Sequence, residues 1–143
     1  MVLVDTNILV YAYDPGDERK TRRAIEVLTQ LELSKRGVLS TQILNEFFNT
    51  VTRNIPNPIE LSSARVTVQR FIEHWEIVPV TTDVVQEGMR GAVEHQLAFW
   101  DSLIWAAAKL NGVDTILTED FSHGQVVEGV RIVNPFLGEV PPP

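Results

Sequence analysis

Acidic residues placed directly after short apolar runs mark where this chain could do chemistry. Val2-Leu3-Val4 is followed by Asp5-Thr6-Asn7, and Thr115-Ile116-Leu117-Thr118 by Glu119-Asp120. If both runs are strands of an open parallel sheet, the acids fall outside the carboxyl ends of the strands, where such sheets bind ligands. Asp5 serves equally well as a turn cap. Of the second pair Asp120 is favoured, because Thr118 and Asp120, two apart, share one side of an extended chain while Glu119 points away; Glu119 is kept as an auxiliary. Asp101 follows Phe99 and Trp100 at the start of an almost wholly apolar segment. An acid in a first helical turn complements the dipole, but burying it unpaired is costly, and a metal ion is one way to satisfy it. Glu46 lies among Ile43, Leu44, Phe47, Phe48 and Val51. At about 100° per residue it points away from the centre of their stripe, so a solvated glutamate is its default.

Carboxylates without a His or Cys ligand set suit a hard, oxygen-binding cation, Mg²⁺ or Mn²⁺, rather than zinc. The chain has no cysteine, and His74, His95 and His123 are scattered. Such an acidic cage fits phosphodiester hydrolysis, in which divalent cations activate water and stabilise the leaving oxygen. Two other chemistries fit less well. A phosphoryl-transfer enzyme of the haloacid dehalogenase type needs a second acid two residues after the first, where this chain has Asn7. A receiver-like signalling module needs an acid near the end of the middle strand and a late lysine, but the run Ile77 to Val80 offers only the more distant Asp83. Of the tryptophans, Trp105 and Trp100 are expected in the core rather than as base-stacking platforms. Ser122-His123-Gly124 follows Asp120 closely enough for a loop there to overhang the site. Arg19, Lys20, Arg22 and Arg23 form the richest basic cluster, most simply read as a solvated helix face, with RNA contact as the alternative.

The elements that must hold these residues are legible as alternation. Short β-rich runs at Val2 to Val4, Val38 to Ser40, Ile77 to Val80, Thr115 to Thr118 and Arg131 to Val133 are separated by helical stretches. These run from Arg19 to Ser34, with Gly37 as a stop, from Thr41 to Arg53, from Ser62 or Ser63 towards Trp75, from Thr81 or Thr82 to His95, and from near Asp101 to Leu110. Strand and helix in alternation predict a parallel sheet covered on both faces. The last helix is apolar nearly all round and is expected at the centre of the domain. With 143 residues and 44% hydrophobic residues, the chain can bury a core without staples. A net charge of -7 argues against a sequence-reading nucleic-acid binder but not against an enzyme acting on nucleic acid, since bound cations reverse the local field. No run approaches the roughly 20 apolar residues needed to span a bilayer, and no secretory leader is legible, so a cytoplasmic protein with no membrane partner is expected.

Val4-Asp5-Thr6-Asn7, Leu44-Asn45-Glu46-Phe47, Trp100-Asp101-Ser102-Leu103-Ile104 and Leu117-Thr118-Glu119-Asp120-Phe121, in this order and at these separations, resemble the PIN domain. More narrowly, they resemble the VapC-type toxin ribonucleases of toxin–antitoxin systems. The resemblance runs from Val2 to Phe136. It implies a single α/β, PIN-like domain over residues 1–137, with a five-stranded parallel sheet flanked by helices, and a short Pro-rich tail over 138–143. It casts Asp5, Glu46, Asp101 and Asp120 as the catalytic, metal-holding acids for Mg²⁺ or Mn²⁺, with Thr6, Asn7 and Thr118 orienting them from behind. It further implies an RNA substrate, a homodimer and a cognate antitoxin protein whose tail blocks the site. A PIN-like module that binds RNA or protein without cutting is the alternative.

Overall fold

The computed structural model describes residues 1–143. In chain order it contains β1 (Val2–Val4), α1 (Thr6–Tyr11), α2 (Glu18–Ser34), β2 (Gly37–Ser40), α3 (Thr41–Arg53), α4 (Leu61–His74), β3 (Glu76–Val78), α5 (Thr82–His95), α6 (Phe99–Leu110), β4 (Thr115–Leu117), β5 (Val126–Val127) and β6 (Val130–Val133). One six-stranded sheet has the order β3-β2-β1-β4-β6-β5. The first five strands in that order are parallel, and β5 pairs antiparallel to β6. Every residue of β1, β2 and β4 is buried, so both faces of the central sheet are covered by helices, as continuous apolar strands require. The expected five-stranded parallel sheet is therefore present, with one more strand at its edge.

The extra strand has a local cause. Glu128 and Gly129 take positive φ values of 47° and 86°, the conformation of a two-residue hairpin turn whose twist matches its strands. Helix α1 also goes beyond the sequence pattern. Asp5 is its N-cap, accepting from the Thr6 amide, and only six residues follow before the chain turns. Helix α2 ends at Lys35 in the left-handed conformation, not at Gly37. Gly37 instead begins β2, where a Cβ would run into the Trp75 ring. A side chain is missing there because an indole occupies its place.

Helices α5 and α6 meet through small residues. A Cβ on Gly88 would strike Leu103, and one on Gly91 would strike Ser102 Oγ and the Trp105 ring. Ser102 Oγ donates to the Gly88 carbonyl at 2.7 Å across this close approach. Helix α6 is buried from Ser102 to Ala108, as expected of a helix apolar on nearly every side. Trp105 is fully buried and donates its Nε1–H to the Val127 carbonyl at 3.1 Å. Over its ring stand Arg90, at 5.7 Å, and Lys109, at 5.3 Å. Arg90 pairs with Glu87, Glu94 and Glu128, and Lys109 with Glu87 and Glu128. Hydrogen bonds from His95 and Arg90 hold the Glu128 carboxyl down to about 2. This network ties α5 and α6 to the β5–β6 turn. At the end of the chain, Arg36 donates to the Pro141 carbonyl at 2.8 Å and Arg23 to that of Pro135 at 2.9 Å. No helix is long and apolar enough to cross a membrane.

Candidate metal centre

The site forms where the sheet changes direction. From β1 the chain crosses to β2 on one side, while β4 lies on the other side of β1. The carboxyl ends of β1 and β4 therefore border the crevice that open α/β sheets use for ligands. Strand β1 delivers Asp5 there, and the Asp5 amide extends the ladder by donating to the Leu117 carbonyl at 2.9 Å. Strand β4 delivers Thr118, Glu119 and Asp120. Helix α6 adds Asp101 from its first turn, and α3 adds Glu46.

Asp5, Asp101 and Asp120 converge, each offering a carboxylate oxygen within 4.8 Å of the others. Asp5 is 3% exposed, Asp101 is half-buried and Asp120 is exposed, so the cluster opens from the sheet edge outward. Burial, and then the like charges of Asp120 and Asp101, push the Asp5 carboxyl up to about 7 against two lowering hydrogen bonds. Burial, followed by the Asp120 and Glu46 charges, also raises Asp101. None of the chain's ion pairs involves Asp5, Glu46, Asp101 or Asp120. Like charges are gathered here without a protein countercharge.

The small polar residues behind the acids form one network. Thr118 Oγ1 donates to Asp5 Oδ2 at 2.7 Å and accepts from Asn7 Nδ2 at 3.2 Å and from the Asp120 amide at 3.0 Å. A single hydroxyl thus sets the positions of two of the three clustered acids. The Thr6 amide donates to Asp5 Oδ1 at 2.7 Å, while Thr6 Oγ1 donates to Glu46 Oε2 at 2.9 Å. Glu46 lines the same hollow, of ≈ 400 Å³, as the three aspartates, but its carboxylate stands outside their 4.8 Å group. Gln42 holds it from the other side, donating at 2.6 Å to Glu46 Oε1 and at 3.1 Å to the Trp100 carbonyl. Glu46 is partly buried rather than the solvated residue its helical position suggests.

Glu119 faces a different set of partners. It accepts from Tyr11 Oη at 2.5 Å and from Lys20 Nζ at 2.8 Å, and Lys20 in turn stands 4.9 Å from the Tyr11 ring centroid and 5.2 Å from that of Phe136. Gln42, Tyr11 and Lys20 were not singled out from the sequence as neighbours of these acids. The spacing of Gln42 and Glu46, four apart on one helix, is a signal that could have paired them; the contact of Lys20 with Glu119 spans 99 residues and leaves none. His123 is exposed and accepts at Nδ1 from the Asn134 amide at 3.1 Å, so it braces its own loop. Trp100 is 66% exposed and lines the acidic hollow. This corrects its expected place in the core: the apolar helix buries its middle, but its first turn faces the mouth of the site.

The donor set suits a divalent cation. All the clustered ligand atoms are carboxylate oxygens, the preference of Mg²⁺ and Mn²⁺. Asn7 Oδ1, in the same hollow, is buried and has no hydrogen-bond partner, which leaves an acceptor free for water on an ion.

A family model described as PIN domain matches residues 2–128. No curated protein matches the chain. Among solved structures, similarity extends to a toxin–antitoxin complex from Klebsiella pneumoniae, with a TM-score of 0.69 at 18% identity, covering 94% of this chain and 98% of that one. VapC20 of Mycobacterium tuberculosis, described as a Sarcin-Ricin loop cleaving toxin, is similar with a TM-score of 0.66 at 22% identity, covering 90% and 98%. VapBC2 from Rickettsia felis, bound to a DNA fragment from its promoter, gives a TM-score of 0.65 at 17% identity over 92% and 97%.

Proposed function

This chain belongs to the PIN domain family, and from that premise we propose that it is a divalent-metal-dependent endoribonuclease, the toxin of a toxin–antitoxin pair. The observation that carries the reading is the convergence of Asp5, Asp101 and Asp120 at one sheet edge with no cationic side chain to neutralise them. Placing like charges together in a poorly solvated crevice is unfavourable unless a cation joins them.

In this reading Asp5, Asp101 and Asp120 hold Mg²⁺ or Mn²⁺, with Glu46 at the rim of the same hollow. A bound cation supplies positive charge for the scissile phosphate and makes water nucleophilic at neutral pH. The chain's own residues do the positioning. Thr118 and the Thr6 amide fix both oxygens of Asp5, and Thr6 Oγ1 with Gln42 fixes Glu46. Asn7 presents an acceptor that can orient the attacking water. Glu119 is held by Lys20 and Tyr11 and acts as an auxiliary that anchors the loop carrying Asp120.

The partners follow from the likeness to toxin–antitoxin complexes. We assign an RNA substrate, a homodimeric state, a cytoplasmic site of action and an antitoxin protein whose tail occupies the acidic hollow, with residues 1–137 as the nuclease domain and 138–143 as its Pro-rich tail. The deciding experiment incubates purified, antitoxin-free protein with a pool of structured RNAs and Mg²⁺ or Mn²⁺, against EDTA and against Asp5→Asn. Cleavage lost in both controls supports the reading. Cleavage that persists in folded Asp5→Asn sinks it. RNA binding without cleavage in any metal points to the non-cutting module instead.

A further inference from the structure

The three tryptophans divide sharply. Trp105 is 0% and Trp75 6% exposed, but Trp100 is 66% exposed. An aromatic ring of this size left in water forgoes a large burial term. Single exposed apolar residues are ordinary on protein surfaces, so position must decide what this one means. Trp100 immediately precedes Asp101 and lines the acidic hollow. It also lines a second, adjoining hollow of ≈ 760 Å³ with Thr41, Gln42, Asn45, Val80 and Leu103. Glu46 borders both. The backbone of Trp100 is fixed by the Gln42 amide that also holds Glu46, and its ring rests edge-on against Phe99, with centroids 5.3 Å apart. The indole is thus a positioned platform between the acids and an apolar-floored recess.

Charge narrows what the platform takes. Lys20, the basic residue beside the acidic hollow, is occupied by Glu119, and Arg23 by Glu26, Glu139 and the Pro135 carbonyl. Neither of these two cations is free to hold a phosphate, and the net charge of -7 opposes a polyanion, so a grip that needs no cation gains weight. Stacking on an aromatic face is the grip that works for any base and needs no cation. It demands an unpaired base, because a base inside a duplex is already stacked on both faces.

We propose that Trp100 is the stacking platform for one unpaired nucleobase next to the cleaved phosphodiester, with the adjoining recess receiving that base and Asn45 at its edge. The proposal rests on the nuclease reading for its substrate and adds where the RNA is held: by one base, on the exposed face of Trp100 beside the acids.

Because Trp75 and Trp105 are buried, indole fluorescence offers a direct probe. In Asp5→Asn, which keeps the RNA intact, titration with a short unstructured RNA is expected to quench emission, and the same strand in a duplex is not. Replacing Trp100 by Ala in that background is expected to remove the quench, and Trp100→Phe in active protein to retain most of the affinity. In steady-state cleavage, Trp100→Ala is expected to raise KM by roughly 5- to 150-fold with kcat little changed. Absence of quenching at saturating RNA, quenching that survives Trp100→Ala, or a KM unchanged in folded Trp100→Ala each overturns the proposal. So does a changed sedimentation coefficient of Trp100→Ala with unchanged RNA affinity, which would assign the ring to a protein contact. Wild-type cleavage with an unaltered Trp100→Ala KM leaves the nuclease reading standing while this proposal falls. Quenching by single-stranded RNA in a protein that never cleaves does the reverse.

Discussion

Asp5 is the residue on which the site's electrostatics turn. Its carboxyl sits near 7 when folded against 3.8 as a free side chain, so between those values the folded state binds more protons than the unfolded one. Stability from this group is fully present below about pH 4 and is lost as pH rises through 7, by an amount on the order of 4 kcal/mol at most. Metal-free protein is therefore expected to melt at lower temperature at pH 8 than at pH 5.5. Asp5→Asn flattens that slope, and saturating Mg²⁺ removes it, because the cation binds the ionised form. Calorimetry across pH, with EDTA and with Mg²⁺, checks all three. Thr118 gives a second test. Thr118→Val keeps the shape but strips partners from Asp5, Asn7 and the Asp120 amide. It is expected to cost about 1–3 kcal/mol in urea unfolding and to weaken Mg²⁺ binding by calorimetric titration, whereas Thr118→Ser restores both. At this scale the sequence was informative where residue type and strand position coincide, as for Asp5 and Asp120. It was uninformative for Glu46, whose carboxylate is held by Thr6, 40 residues away, as well as by Gln42 one turn back on its own helix. It misled for Trp100, because an apolar helix does not announce which of its turns reaches the surface.

At the scale of elements, the alternation of strands and helices was legible because buried parallel strands are short, apolar and unbroken. The parts that escaped are those held by geometry rather than by pattern. Helix α1 is too short to show a period, and its N-cap is also a candidate ligand. Strand β5 has two residues and depends on a turn at Glu128 and Gly129. The close pairing of α5 with α6 depends on glycines, and an absent side chain has no hydrophobic signature. Gly91→Ala drives a methyl group into the Ser102 hydroxyl and the fully buried Trp105 ring. The expected cost is about 1–3 kcal/mol by urea unfolding, with Asp101, which directly precedes Ser102, displaced and Mg²⁺ affinity reduced as well. Gly37→Ala, set against the Trp75 ring, is expected to destabilise by a similar amount without changing Mg²⁺ affinity, since β2 places no ligand in the cluster.

For the molecule as a whole, charge is the feature that governs how it meets a polyanion. Of 12 lysines and arginines, Lys20, Arg23, Arg70, Arg90 and Lys109 are held in internal ion pairs, and the net charge is -7. The other seven stand outside those pairs, but they act within a field that is negative overall, which weakens their hold on phosphates. Affinity for single-stranded RNA in Mg²⁺ is expected to fall by less than about tenfold between 50 and 200 mM KCl, against the far steeper loss of proteins that grip many phosphates. A steep salt dependence in filter binding would show that a basic surface carries the interaction after all. The two ends of the sheet bear on a separate matter. On one side β3 has three residues and opens with an exposed glutamate, Glu76; on the other β5 has two. Neither rim offers enough free backbone to template another strand. Copies of this protein that associate must therefore do so through side chains on helices and loops, and its sheet is a poor seed for fibrils even when the protein accumulates at high concentration.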